Sequence, residues 1–393
     1  MNGSLRSLRE LNRLRVLEIV RERGQASRAD IARQTGLARS TVSSLVNELL
    51  RDGLVVERDT ASSAQGGRPA VPLALNPASG AVVGVQFDHG AIRAAVADLD
   101  HTIHAEARVE LDVDHEAAEG LEAARELVDR VLAQADIPRE RVLGAGVGMA
   151  GPIDSATGTV GSATILPGWV GIEVACELER RLDLPVHVDN DANLGALAES
   201  VLGAGRDATE MVYLMLSSGI GAGLILGGRL YRGAGGTAGE IGHVLVDENG
   251  PMCRCGLRGC LETFAGANAL LDLLHREGLD AGGMVAAARD GDPVCRRVLA
   301  DASRTVGRVV AGLCNQFNPE LVVVGGRLAA AGDLVLEPMR EAVARYAIPG
   351  AAGDARVVAG TLGDRAELLG ALVLVVGQSD RAFSGRVKAA VGK

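Results

Sequence analysis

"MVYLMLSSGIGAGLILGGRLYRG" (Met211–Gly233) sets short apolar runs on either side of a serine–glycine turn. Runs of this length, bounded by Gly, read as adjacent hairpin strands. The pattern occurs once before, in "VVGVQFD" (Val82–Asp88), "AIRAAVADL" (Ala91–Leu99) and "TIHAEARVEL" (Thr102–Leu111). A helix near Glu116–Gln134 and a buried strand, "VLGAGVGMAG" (Val142–Gly151), complete that first unit. The second continues with helices between Ala265 and Phe317 and the strand "PELVVVGG" (Pro319–Gly326). Two α/β units that each open with hairpin strands predict two lobes with a cleft between them, where ligand sites collect.

The chain of 393 residues is long enough for two or three domains, and 47% hydrophobic residues suffice for real cores. Aromatics at 2% argue against stacking of nucleic-acid bases. The net charge of −10 is unevenly spread: residues 1–70 carry twelve Arg against eight Asp or Glu, +4, leaving −14 for the rest. Only the front end is therefore expected to meet an anionic polymer. No apolar run approaches the about 18 residues of a membrane span. "MNGSLRSLRELNRLRV" at the start lacks the apolar core of a signal peptide. A cytoplasmic location is expected, in which clustered cysteines signal metal or catalysis more often than disulfides.

In the front end, Leu8–Gly24 reads as an amphipathic helix, and Ser27–Leu37 as a second helix with Ser27 as N-cap and Asp30 three residues on. "RSTVSSLVNELLRDG" (Arg39–Gly53) puts Val42, Leu45, Val46, Leu49 and Leu50 on one stripe. Ser40, Thr41, Ser43, Ser44 and Asn47 line the opposite face, behind Arg39. Small hydrogen-bonding side chains at a helix N-terminal end suit entry into a DNA major groove. Leu54–Leu75 reads as a hairpin wing whose Arg68 could reach a minor groove. A small helical bundle with a merely solvated polar face is the plainer alternative.

"PMCRCGLRGCLE" (Pro251–Glu262) packs Cys253, Cys255 and Cys260 into eight residues, ten after His243. Four such ligands suit tetrahedral Zn²⁺, and a complete protein set leaves no position for a catalytic water, so a structural metal is expected. Three ordinary core thiols are the alternative. Cys176, Cys295 and Cys314 are scattered and read as small core residues. "HVDNDANLGALAE" (His187–Glu199) ends a strand and opens a helix with Asn190 and Asp191 at the junction. An amide and a carboxylate there suit recognition of vicinal hydroxyls, and equally a helix cap.

"LSSGIGAGLILGGRLYRGAGGTAGEIGH" (Leu216–His243), followed by "CRCGLRGCLE", resembles the ROK family of repressors and sugar kinases, over essentially the whole chain. The resemblance implies an N-terminal winged helix-turn-helix followed by a two-lobed actin-like, ribonuclease-H-like domain, assembled as homodimers or homotetramers. The expected division is 1–76 for the DNA-binding domain, 77–200 for lobe 1 and 201–393 for lobe 2, with a C-terminal helix that could pack back on lobe 1. It also implies His243, Cys253, Cys255 and Cys260 as zinc ligands, and Asn190, Asp191, Glu240, His243 and Glu262 as sugar contacts. The residue matching Asp191 is the general base of the family's sugar kinases.

Two departures from the kinase pattern stand out. Ile165, in "TILPGWVG" (Thr164–Gly171), stands where the family often has Asn. In "GVQFDHGAI" (Gly84–Ile92), Gln86 replaces the Asp of an Asp-x-Gly-Gly-Thr phosphate turn, and Asp88, His89 and Gly90 replace Gly-Gly-Thr. A carboxylate close to where phosphate would sit is electrostatically wrong, and phosphoryl transfer depends on positioning and charge neutralisation. Asp191 is therefore read as a vestigial base and no catalytic residue is expected. The leading reading is a repressor of carbohydrate genes that binds double-stranded operator DNA and a sugar or sugar-phosphate effector. An ATP-dependent hexose kinase carrying a DNA-binding domain is the runner-up, and control by another protein is a third reading.

Overall fold

Ser27 shows why the front end folds as it does. The computed structural model describes residues 9, 12, 13, 15–20, 23–58, 71–114, 116–154, 157–160 and 166–378. Residues 9, 12, 13 and 15–20 are helical and form α1. The two-residue strand β1 (Ala26–Ser27) then leads into α2 (Arg28–Thr35). Ser27 Oγ accepts from the Asp30 N–H at 3.2 Å and the Asp30 carboxylate accepts from the Ser27 N–H at 3.2 Å, a reciprocal capping box. Gly36, at φ +69°, ends the helix in the left-handed region. On α3 (Arg39–Arg51), Val42, Leu45, Val46 and Leu49 are buried while Leu50 is half-buried. β2 (Val55–Glu57) and β3 (Pro72–Leu75) pair antiparallel as the wing. β1 joins them as a third strand, which a two-stranded reading missed because it pairs through only Ala26 and Ser27.

Lobe 1 runs β4 (Ala81–Asp88), β5 (Ala91–Asp98), β6 (Ile103–Glu110), α4 (Ala117–Gln134), β7 (Val142–Met149), α5 (Val174–Leu182) and β8 (Val186–Asn190). Its sheet order is β6-β5-β4-β7-β8, antiparallel through β6, β5 and β4 and parallel through β4, β7 and β8. Next come α6 (Asp191–Val201), β9 (Met211–Leu216), β10 (Ile220–Leu226), β11 (Arg229–Tyr231), α7 (Glu262–Ala265), α8 (Ala267–Leu274), α9 (Ala281–Arg289), α10 (Pro293–Phe317), β12 (Leu321–Gly325), α11 (Asp333–Tyr346), α12 (Pro349–Asp354), β13 (Arg356–Ala359) and α13 (Ala366–Gln378). The second sheet, β11-β10-β9-β12-β13, repeats the order and strand directions of the first. Every residue of β7 and of β12 is buried, as parallel central strands covered on both faces require.

Two helices lie between the sheets and join them. α13 lies on the lobe-1 sheet so closely that a Cβ on Gly146 would stand 2.0 Å from the Ala371 carbonyl oxygen. α6 lies on the lobe-2 sheet, where a Cβ on Gly223 would be 2.4 Å from Ala196 Cβ. The helices cross at Gly370, whose Cβ would be 2.0 Å from the Leu194 carbonyl oxygen. α6 thus spans the expected division at residue 200 and packs on the lobe-2 sheet, while α13, the last described helix, packs on the lobe-1 sheet.

The front domain shares a core with lobe 1. Val42, Leu45, Leu73 and Leu75 belong to one buried cluster with Val82, Leu99, Leu143, Leu368, Leu372 and Val376. Arg58 of the front domain pairs with Asp100 of lobe 1 at 2.5 Å. Among the described residues, no helix is long and apolar enough to cross a membrane.

Candidate functional site

The β8–α6 junction lies where the chain passes from the lobe-1 sheet to the helix that packs on the lobe-2 sheet. Asn190 is a helix cap: its Oδ1 accepts from the N–H groups of Ala192 at 2.9 Å and Asn193 at 3.3 Å, and its Nδ2 donates to the Gly151 carbonyl at 2.9 Å. Asp191 Oδ1 accepts from the Ala192 N–H at 2.8 Å. Asp189, which the sequence reading left out, is 5% exposed. Its Oδ1 accepts from the Asn190 N–H and from Asn193 Nδ2, both at 2.8 Å. Its Oδ2 takes Arg232 Nε at 2.8 Å and Nη2 at 2.6 Å. Arg232 follows β11 in lobe 2, so this ion pair ties the two lobes together; a position in an Asp-Asn-Asp run was the only signal for it.

Three carboxyl groups at this junction titrate high. Burial pushes Asp191 up to about 8; the charges of Glu367 and Glu240 add, while the Ala192 N–H and His89 oppose. Burial also raises Glu240 to about 7, with Glu262 adding and Arg254 opposing. Glu367, at the start of α13, rises to about 7 through burial, with Asp88 and Asp364 adding and Arg93 opposing. A carboxyl group poised near neutrality can donate or accept a proton, which is what a base acting on a hydroxyl needs.

Beyond β11, Glu240 and the single turn Ile241–His243 bring the chain to the cysteine loop. His243 Nδ1 lies 3.6 Å from Cys253 Sγ, and Cys255 Sγ lies 3.6 Å from Cys260 Sγ. The four ligand atoms all fall within 4.8 Å of one another, a group that could hold a metal ion. Tetrahedral bonds of roughly 2.0–2.3 Å need ligand separations of this size. The loop is fixed by its backbone: Gly259 sits at φ +67°, and a Cβ there would come within 1.6 Å of the Asp247 carbonyl oxygen. His243 Nε2 points toward Glu240, 4.0 Å from Oε2. Glu262 accepts from Arg254 Nε at 2.8 Å and Nη2 at 3.2 Å, and from the Ile220 N–H at 3.2 Å. Of the other cysteines, Cys295 and Cys314 are buried but Cys176 is exposed. α5 buries Val174, Leu178 and Leu182, spaced four apart, and Cys176 falls on the opposite side of the helix.

At the turn after β4, Asp88 Oδ2 pairs with Arg327 Nη2 at 2.6 Å, linking lobe 1 to lobe 2. The Arg327 N–H donates to Ser217 Oγ at 3.2 Å, so the three turns Gly84–Ile92, Ser217–Gly223 and Val322–Gly332 are joined directly. Gln86 Oε1 is buried with no protein partner, and His89 Nδ1 lies 2.7 Å from Asp114 Oδ1.

On the front domain, Arg39, Ser40, Thr41, Ser44 and Asn47 are exposed and Ser43 is half-buried, all on the face of α3 away from its core stripe. Arg9 donates to Ser44 Oγ at 3.2 Å and pairs with Glu48. Arg68 and Ile165 lie outside the described residues.

The ROK family model matches residues 82–378. The chain belongs to the ROK family. Ahead of that ROK body, the model of the IclR helix-turn-helix domain matches residues 12–59. A putative xylose repressor of Caldicellulosiruptor sp. (strain Rt8B.4) is 32% identical over 390 residues, covering 95% of this chain and 97% of that protein. The crystal structure of a ROK family transcriptional regulator, a homologue of the E. coli MLC protein, matches with a TM-score of 0.79 at 25% identity, over 98% of this chain and 100% of that one. A ROK family glucokinase from Streptomyces griseus, solved with glucose and AMPPNP, matches with a TM-score of 0.66 at 32% identity, over 75% of this chain and 99% of that one. The winged domain followed by two repeated α/β lobes is thus the fold of a ROK regulator.

Proposed function

We propose that the chain is a cytoplasmic, sugar-responsive repressor of carbohydrate genes. The observation that carries this reading is full-length similarity, helix-turn-helix included, to a protein named for xylose repression. Arg39, Ser40, Thr41, Ser43, Ser44 and Asn47 would read the major groove, with Arg68 on the wing, as paired subunits of a homodimer or homotetramer bind operator DNA. A sugar or sugar phosphate would sit against Asn190, Asp191, Glu240, His243 and Glu262 and close the lobes. Because the winged domain shares its core with lobe 1, closure of lobe 2 would alter the spacing of paired DNA-binding domains.

His243, Cys253, Cys255 and Cys260 would hold Zn²⁺ in a closed tetrahedral set. Three soft thiolates and one imidazole match that ion, whose role is to fix the loop carrying His243 and leading into Glu262. In this reading no phosphoryl transfer takes place. Arg327 and Asp88 occupy each other at the corner where a nucleotide phosphate would need free cationic or backbone donors, and Gln86 cannot supply a carboxylate for the metal–phosphate end.

A second reading, a DNA-tethered hexose kinase, is favoured by one observation: Asp191 retains a value of about 8, suited to a general base. Thermal-shift titration with hexoses, pentoses, amino sugars and their phosphates, beside coupled assay of sugar-dependent ATP hydrolysis, separates the readings. Sugar-dependent stabilisation without ATP turnover supports the repressor; turnover abolished by Asp191→Asn establishes the kinase.

A further inference from the structure

We infer that Arg254, the residue between Cys253 and Cys255, is the positioning residue that sets Glu262 for a sugar hydroxyl. The inference rests on the sugar-site reading above and adds to it a residue outside the expected contact set.

Glu262 opens α7, and its side chain is 12% exposed. The Arg254 guanidinium meets it side-on, with Nε on Oε1 at 2.8 Å and Nη2 on Oε2 at 3.2 Å. The Ile220 N–H adds a third donor, to Oε2 at 3.2 Å. A carboxylate offers about four acceptor directions, so three are spent and one remains, on Oε1. Glu262 is thereby held as an acceptor for a single hydroxyl, in an orientation that a rotating carboxylate would not keep. A planar two-pronged guanidinium provides this and an ammonium does not.

The surroundings leave Arg254 little alternative. The turn that carries it is closed by the Cys253 N–H donating to the Leu257 carbonyl at 2.7 Å and the Gly256 N–H donating to the Cys253 carbonyl at 3.0 Å. Gly219, in the second glycine-rich turn, packs directly over the pair. A Cβ on Gly219 would stand 2.7 Å from Glu262 Oε2 and 3.0 Å from Arg254 Nη2, so a side chain there would push against the pair. The metal loop, the helix start at Glu262 and the Ser217–Gly223 turn therefore meet at one guanidinium. Arg254 converts the geometry of the cysteine loop into the orientation of Glu262.

The test is calorimetric titration of the full chain with D-xylose and D-glucose, alongside bound-metal content, for the parent chain, Arg254→Ala, Arg254→Lys and Glu262→Gln. Arg254→Ala is expected to weaken sugar binding roughly 10–100-fold, the usual cost of losing a partner that orients a site residue, with metal content unchanged. Arg254→Lys is expected to rescue little of this. Ethylguanidinium, added at concentrations that leave the chain folded, should restore affinity to Arg254→Ala and not to Glu262→Gln. Parent-like affinity in Arg254→Ala beside a loss in Glu262→Gln would overturn the inference alone. Loss of metal together with affinity in Arg254→Ala would reduce Arg254 to a structural residue and also overturn it. A parent chain that binds neither these two nor any of the other hexoses, pentoses, amino sugars and sugar phosphates titrated as above would overturn the sugar-site reading, and this inference with it.

Discussion

Replacing Asp191 with Asn removes the most strongly perturbed carboxyl group of the lobe junction, and the consequence can be worked out as a pH profile. Asp191 rises from 3.8 to about 8, chiefly through burial and then through the charge of Glu367. Between those two values the folded chain keeps a proton that the unfolded chain has lost. Stability is therefore fully present below the unfolded value and falls as pH rises, by about 1.4 kcal/mol per unit, until the folded value is passed. From pH 5 to pH 8 the full linkage is roughly 3.6 kcal/mol; Asp191 is half-buried, and solvent screening brings the expectation to about 2–3 kcal/mol. Asn carries no such linkage. The melting temperature of Asp191→Asn should thus gain on the parent steadily with pH, with a total difference of roughly 2–4 °C across that window for a chain of 393 residues. Glu367→Gln removes the largest charge that raises Asp191 and should slide the window to lower pH. Scanning calorimetry in matched buffers at half-unit steps measures both. A difference between Asp191→Asn and the parent that stays constant with pH, or shrinks as pH rises, would refute the reasoning.

Cys255→Ser should lose the metal and the sugar response together while operator affinity persists, read by metal analysis, sugar titration and DNA binding; an intact sugar response without metal would remove the loop's positioning role. Asn47→Ala, on the exposed face of α3, should cost roughly 1–3 kcal/mol in operator affinity with an unchanged melting temperature, measured by fluorescence anisotropy. Gly146→Ala would put a methyl 2.0 Å from the Ala371 carbonyl oxygen, so α13 must retreat from the lobe-1 sheet. A loss of about 1–3 kcal/mol is expected, and a melting temperature within about 0.5 °C of the parent, about 0.4 kcal/mol or less, would show that the contact relaxes freely.

Local signals were read from the chain directly, and long-range choices were not. The Ser27–Asp30 capping box spans three residues and is visible as a motif. The strands of both lobes show as short apolar runs, and the His/Cys group that could hold a metal ion lies within the one stretch His243–Cys260. The crossing of α6 and α13 depends on Gly370 meeting Leu194, which no local pattern announces. Partner choice among charges is equally non-local: Asp88 with Arg327, Asp189 with Arg232 and Arg58 with Asp100 are made by folding, from residue types found everywhere on a surface. β1 was missed because two residues carry no periodicity, and Cys176 was misread because a lone cysteine in a helix says nothing of which face it takes. Arg254 stood in plain view beside its cysteines, but its contact with Glu262 needed the loop's closure to be seen.

The central claim is that this ROK chain binds DNA and releases it in response to a sugar. Genome-wide mapping of its DNA-binding sites, in cells grown with and without candidate sugars, tests that claim most directly. The account predicts discrete sites beside genes of carbohydrate use, with occupancy lost when the cognate sugar is supplied and retained in a Glu262→Gln variant. Absence of any bound locus, or occupancy indifferent to every sugar tried, would contradict it.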